Sequence, residues 1–220
     1  MPAPYRLHLV YFGQAPGNES AALTLATTLR GCTSVFLAKL DAHSAKAARW
    51  SRDPLNLAPQ GRIALDLTER PSATELDELS KQTDAALYLS ETHWPLPLHL
   101  NPGAAHPGTL QWCGFRKQKE IEYETYIKQW LESHTSIAID TQNTDSYSQH
   151  RVLWQRGPAL DGIAEETFPL NASQSEAEFF NAVGEPDKLK RHIETLVASS
   201  TRFIDFEAMS VIHLTEKRLR

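Results

Sequence analysis

Cysteine is scarce in this 220-residue chain, which has only Cys32 and Cys113. Two thiols cannot build a disulfide framework, and neither stands in a metal-ligand spacing, so both are expected as packing residues. Long apolar runs are also missing. No stretch approaches the ~18 consecutive apolar residues of a membrane span, and no apolar segment follows a basic start at the N-terminus, so a cytoplasmic protein is expected. A basic block is lacking as well. The 22 Lys and Arg are outnumbered by 27 Asp and Glu, for a formal net charge of −5. The one basic cluster, Lys217, Arg218 and Arg220, reads as a solvated tail. Nucleic acid as a partner is excluded, because it needs a basic face. Gly13 and Gly17 stand in FGQAPGN without the Lys-Ser/Thr of a phosphate loop, and there is no Gly-x-Ser-x-Gly elbow. No His-x-x-x-His or His/Cys pair shares one element, so no metal site is expected.

Hydrophobic residues at 41% and charged residues at 22% are those of an ordinary soluble globular protein. Trp94 to Gly108, WPLPLHLNPGAAHPG, holds four prolines and divides the chain nearly in half. A regular element is not expected to run through it. The first half alternates as strand Tyr5–Phe12, helix Ser20–Leu29, strands Ser34–Leu40 and Arg62–Leu67, helix Thr74–Lys81 and strand Ala85–Leu89. The second half repeats the order: strand Thr109–Arg116, a long helix Ile121–Gln142, strands Tyr147–Gln155 and Gly162–Phe168, helices Ser173–Val183 and Pro186–Ser199, and strand Phe203–Leu214. Each half has the split βαββαβ pattern of a ferredoxin-like unit. The expected fold class is therefore α+β: units 1–94 and 109–220 joined by a linker at 95–108, with two sheets packed into a barrel-like whole.

On the long helix, Tyr123, Tyr126, Ile127, Trp130, Leu131, His134 and Ala138 follow one 3.6-residue stripe. Glu122, Glu124, Lys128, Gln129 and Glu132 take the opposite face. His134 therefore belongs to the buried stripe, either as a core histidine bonded to a carbonyl or as an imidazole aimed into a cavity where it moves protons.

From Phe115 to Gln142 the sequence resembles the EthD family, which has an aromatic-x-x-aromatic helix whose Trp is followed four residues later by His, matched here by Tyr126, Trp130 and His134. The likeness continues through Tyr147 to Val152, then Asp161 to Glu165, then the acidic aromatic run SQSEAEFFNAV, so it covers roughly Leu110 to Leu214. One departure is His150, where the family has Asn. The resemblance implies a dimeric α+β barrel and a homodimer, although two units in one chain could satisfy the sheet pairing internally. It also implies chemistry on aromatic or polyketide-like compounds: dehydration, decarboxylation, cyclisation or a part in oxidative degradation.

On this basis His134 is the expected acid/base, and Tyr147 the phenol that holds a carbonyl or enolate oxygen. Tyr126, Trp130, Gln149, Asp161 and Glu165 are the expected substrate-side residues, with Asp161 or Glu165 orienting the imidazole. No cofactor is expected, and the partner is a small apolar or aromatic molecule. Two alternatives remain, an oxidoreductase (including a haem protein with His134 on iron) and a non-catalytic binding protein.

Overall fold

The computed structural model describes residues 3–220. Its strands are β1 (Tyr5–Phe12), β2 (Cys32–Lys39), β3 (Pro59–Leu67), β4 (Ala86–Leu96), β5 (Thr109–Lys117), β6 (Ser146–Arg156), β7 (Gly162–Phe168) and β8 (Ile204–Arg218). They close into one barrel in the order β1-β3-β2-β8-β5-β7-β6-β4, with every neighbouring pair antiparallel. Read by half, the order is β4-β1-β3-β2 and then β8-β5-β7-β6, so both halves place their fourth, first, third and second strands side by side. The seams are β2 with β8 and β4 with β6. Each half covers the sheet edges of the other, so no strand edge is left free.

The helices lie outside the barrel. In the first half α1 (Glu19–Thr27) is capped by Asn18, whose Oδ1 accepts from Ala21 N at 2.9 Å. The helix α2 (Ala73–Ser80) starts with a reciprocal capping box between Ser72 and Glu75. In the second half α3 (Tyr123–Ile127), a π-helical turn (Lys128–His134) and α4 (Thr135–Thr141) form one rod. It is followed by α5 (Leu170–Gln174), α6 (Glu176–Phe179) and α7 (Pro186–Ser200).

Strand alternation sorts the side chains between two compartments. Leu7, Leu9 and Tyr11 of β1 pack with Ala22, Ala26, Leu76 and Leu79 of the first-half helices. Val10 packs instead with Tyr88, Leu110, Trp112, Ile163, Ile212 and Leu214, which come from strands of both halves and fill the barrel interior. A third cluster, with Phe115, Tyr126, Trp130 and Phe203, lies between the second-half strands and the helical rod.

Four local features depart from the sequence pattern. β4 continues through Pro95 to Leu96, inside the proline-rich stretch. Its register to β6 shifts between His93 and Leu96, and a proline is tolerated at such an irregularity. The helix expected over Ser173–Val183 is two short ones, because Ser175 is extended (φ −131°, ψ 130°) and its Oγ caps α6. Ser173 is not the cap; its hydroxyl is buried against Thr109 Oγ1 at 2.9 Å. A 3-10 turn at Ser44–Trp50 carries no period-2 or 3.6 signal long enough to read. Finally, β8 extends to Arg218, since it pairs with β5 up to Leu214 and then crosses the seam to β2.

Candidate functional site

The helical rod buries Tyr126, Trp130, His134 and Ala138, while Tyr123 stays half-exposed at its start. Trp130 and His134 both fall within the π-helical turn, a local geometry found often at functional sites. Gln149 of β6 ties this turn to the sheet: its Nε2 donates to the Trp130 carbonyl at 3.1 Å and to Tyr147 Oη at 3.0 Å. Its Oε1 accepts from Thr135 Oγ1 at 3.2 Å and lies 2.8 Å from His93 Nδ1. With both ends occupied, Gln149 is a positioning group. Because the Tyr147 oxygen accepts from Gln149, the phenolic proton is left to point elsewhere.

Between this rod, α7 and the outward face of β5–β8 lies an apolar cavity of about 250 Å³, a little below the roughly 300–1,000 Å³ of typical ligand pockets. Phe115, Trp130, Phe179, Phe180 and Phe203 give it aromatic walls. Its polar groups include His134, Tyr147, Gln111 and Glu166, with Arg52 ion-paired to Glu207 at 3.0 Å at an exposed edge. His134 and Tyr147, read from the sequence as the chemical pair, thus line the same space.

Burial and the nearby Arg202 cation pull the His134 imidazole down to about 4. Its Nδ1 lies 2.9 Å from Ser199 Oγ, which itself accepts from Arg202 Nη2 at 3.0 Å. The serine oxygen has a second lone pair that can accept from Nδ1–H, and in that tautomer Nε2 keeps a free lone pair with which to take a proton. Burial raises the Tyr147 hydroxyl far above its ordinary range, so the phenol stays protonated. Burial also raises the Glu166 carboxyl, to about 8, against a weaker opposing hydrogen bond from Gln111.

Other sequence candidates fall outside the cavity. Glu165, one residue before Glu166, points into the barrel interior, as consecutive strand residues must take opposite faces. There its Oε2 accepts from Arg6 Nη1 and its Oε1 from Arg62 Nε, both at 2.5 Å. Arg62 also donates to Glu216, and Arg6 to Asp66 at 2.7 Å. Burial alone would raise the Glu165 carboxyl, but the Arg62 and Arg6 guanidiniums hold it well below the ordinary range. His8 and His150 complete this interior group with ring centroids 4.6 Å apart, and burial keeps both imidazoles neutral. His150, the departure from the family pattern, therefore faces the barrel and not the cavity. Asp161 accepts from Arg116 Nε at 2.8 Å and from the Lys117 amide at 2.9 Å, which fixes the end of β5. Tyr126 packs behind Trp130 (ring centroids 5.6 Å) and its hydroxyl has no partner among the described residues.

Gly162 explains part of the Asp161–Glu165 motif. A Cβ there would come within 2.6 Å of Tyr126 Oη and 2.7 Å of both Phe115 and Trp130. Gly162→Ala should therefore push the aromatic stack away from β7 and cost about 1–3 kcal/mol by overpacking. An unchanged urea midpoint would show that the stack is loosely held. The sequence reading missed Trp50, which crosses from the first half. It stacks on Phe179 at 4.2 Å and donates from Nε1 to the Ser173 carbonyl at 3.1 Å. No periodic signal marks a side chain on a 3-10 turn. Glu166 was missed although alternation from Tyr147 could have found it, since the two are direct cross-strand partners.

A closed antiparallel barrel of eight strands with helices packed outside is a mixed α/β fold. The crystal structure of an anthrone oxidase-like protein shares this shape, with TM-score 0.56 and 9% identity over 98% of this chain and 92% of the other. A variant chlorite dismutase from Candidatus Nitrospira defluvii, in complex with cyanide, aligns over 100% and 93% at 10% identity with TM-score 0.49, too loose a likeness to carry anything further. No protein-family model matches the chain. No curated protein sequence matches it significantly. Among the described residues, no helix is long and apolar enough to cross a membrane, and no His, Cys, Asp or Glu cluster is arranged to hold a metal ion.

Proposed function

We propose that this chain is an EthD-like small-molecule enzyme that performs cofactor-free acid/base chemistry on a neutral, fused-ring aromatic or polyketide-like substrate. The observation that carries this is the convergence of His134 and Tyr147 on one aromatic-walled cavity. His134, neutral at physiological pH, takes the proton, and Tyr147 donates its free hydroxyl proton to the oxygen on which charge develops. Such a dry setting strengthens the phenol's hydrogen bond. The fold shared with an anthrone oxidase-like protein supports the substrate class only as an analogy of shape.

We read the two halves as ferredoxin-like units, a duplication supported by their matching strand order. The sheet pairing expected to join two chains is made within one chain here, so a homodimer would have to use another surface; sedimentation separates the two outcomes.

A test uses 3-hydroxy-1-tetralone, which yields fluorescent 1-naphthol on loss of water. His134→Gln should lower kcat by about 100-fold or more, while 1-naphthol binding, read by tryptophan quenching, stays within about threefold. Tyr147→Phe should lower kcat by about 100-fold, in the range for one oxyanion donor. Wild-type turnover in His134→Gln would remove the histidine from the chemistry. Absence of 1-naphthol binding to the wild type would remove the cavity's role altogether.

A further inference from the structure

We propose that Glu166 is the general acid of this cavity, donating its proton to the departing hydroxyl of a β-hydroxy ketone, so that the reaction is a dehydration. The proposal rests on the cavity reading above and narrows it to one reaction and one further residue.

Placement comes first. Glu166 stands in a cross-strand row, with Tyr147 opposite it on β6 and Gln111 opposite it on β5. All three line the cavity. The row puts a carboxyl directly beside the phenol assigned to the substrate oxygen, as close as neighbouring strands allow.

The hydrogen bonds then locate the proton. Gln111 Nε2 donates to Glu166 Oε2 at 3.0 Å, so Oε2 is the accepting oxygen. Oε1 has no partner among the described residues. A buried neutral carboxyl thus carries its O–H on the oxygen left without a protein acceptor, where a ligand can accept it. No cation compensates the group: the one arginine or lysine among the cavity residues, Arg52, is tied to Glu207 at the exposed edge. The other titratable neighbours are Tyr147 on β6, Cys113 on β5, His213 on β8 two strands away, and His134 on the helical rod. None of them places a positive charge next to the carboxylate. This accounts for a carboxyl still protonated at neutral pH, with its limit at about 8. The limit of His134 at about 4 lies on the other side of neutrality. Two groups pushed apart in this way are a free base and a loaded acid over the same interval.

The step balances without redox. His134 takes the proton from the carbon between carbonyl and carbinol, and the C–H pair becomes the C=C of an enolate whose oxygen Tyr147 holds. Those electrons then expel the hydroxyl, which takes the Glu166 proton and leaves as water. With 3-hydroxy-1-tetralone the resulting enone tautomerises to 1-naphthol. The proton on His134 returns to Glu166 through solvent or product.

Glu166→Gln keeps the size and neutrality of the protonated acid, so it should fold, and circular dichroism checks that it does. It should lower kcat with 3-hydroxy-1-tetralone by about 100-fold or more, move KM by less than threefold and abolish the alkaline limb of the kcat profile near pH 8. Glu166→Asp should restore part of the rate together with a shifted limb. Wild-type kcat and an intact limb in Glu166→Gln would overturn the proposal. So would a wild type that binds 1-naphthol yet leaves the hydroxy ketone unchanged, whereas failure to bind 1-naphthol at all would overturn the cavity reading beneath it.

Discussion

Arg62→Met should destabilise the fold by about 3–5 kcal/mol, the cost expected when one partner of a buried ion network is removed. Arg62 is fully buried and donates to both Glu165 and Glu216, themselves almost fully buried. Methionine fills much of the space but leaves two carboxylates short of a donor where water cannot replace it. Glu165 retains Arg6, while Glu216 has no other ion-pair partner among the described residues. Adding Glu216→Gln to Arg62→Met should therefore recover part of the loss, giving a coupling of about 0.5–3 kcal/mol in a double-mutant cycle. Additive effects in urea unfolding would show that the interior charges act independently.

Acid should unfold the protein unusually early. His8, His134, His150 and His213 are all buried with imidazole values below the ordinary 6.5, His134 and His213 at about 4, chiefly through burial. As pH falls from 6.5 towards 4, the unfolded chain binds protons at these sites that the folded chain refuses, so stability falls with pH. Each fully refused proton is worth about 1.4 kcal/mol per pH unit. Glu166 opposes the trend. Its folded value is raised, so its contribution is complete below the ordinary carboxyl range and is lost as pH rises through about 8. Stability should thus peak near neutrality and fall between pH 6.5 and 5.5, with a net uptake of up to about three protons as the ceiling. Urea midpoints measured across that interval check it, and a flat profile would mean that the imidazoles are solvated. His8→Leu should flatten the slope at little cost, because neither ring nitrogen of His8 has a hydrogen-bond partner among the described residues.

Much of this molecule is legible in its sequence, and the misreadings share a cause. Period-2 and period-3.6 patterns find the eight strands and place His134 on the buried stripe, since one face of that helix meets solvent and the other does not. The strands of the second half are different: Trp112 and Cys113 are both buried, as are Glu165 and Glu166. A sheet covered on both faces shows no polar side against which to set the alternation. Choosing between two adjacent glutamates then amounts to choosing a face, and a slip of one residue moves the carboxyl from the cavity to the barrel interior. Trp50 and Arg52 escape for a different reason. They reach the cavity through tertiary contacts from the other half of the chain, which no local pattern encodes.

The seams at β2–β8 and β4–β6 have a consequence for symmetry. A barrel assembled from two identical chains is bound by its twofold axis, so whatever one half acquires, the other acquires too. Here the halves are joined covalently and are free to diverge. The outer face of the first half packs its leucines beneath α1 and α2, while that of the second lines the cavity. The first half lends Trp50 and Arg52 across the seam to the cavity of the second, an asymmetry that a twofold assembly of identical chains could not hold.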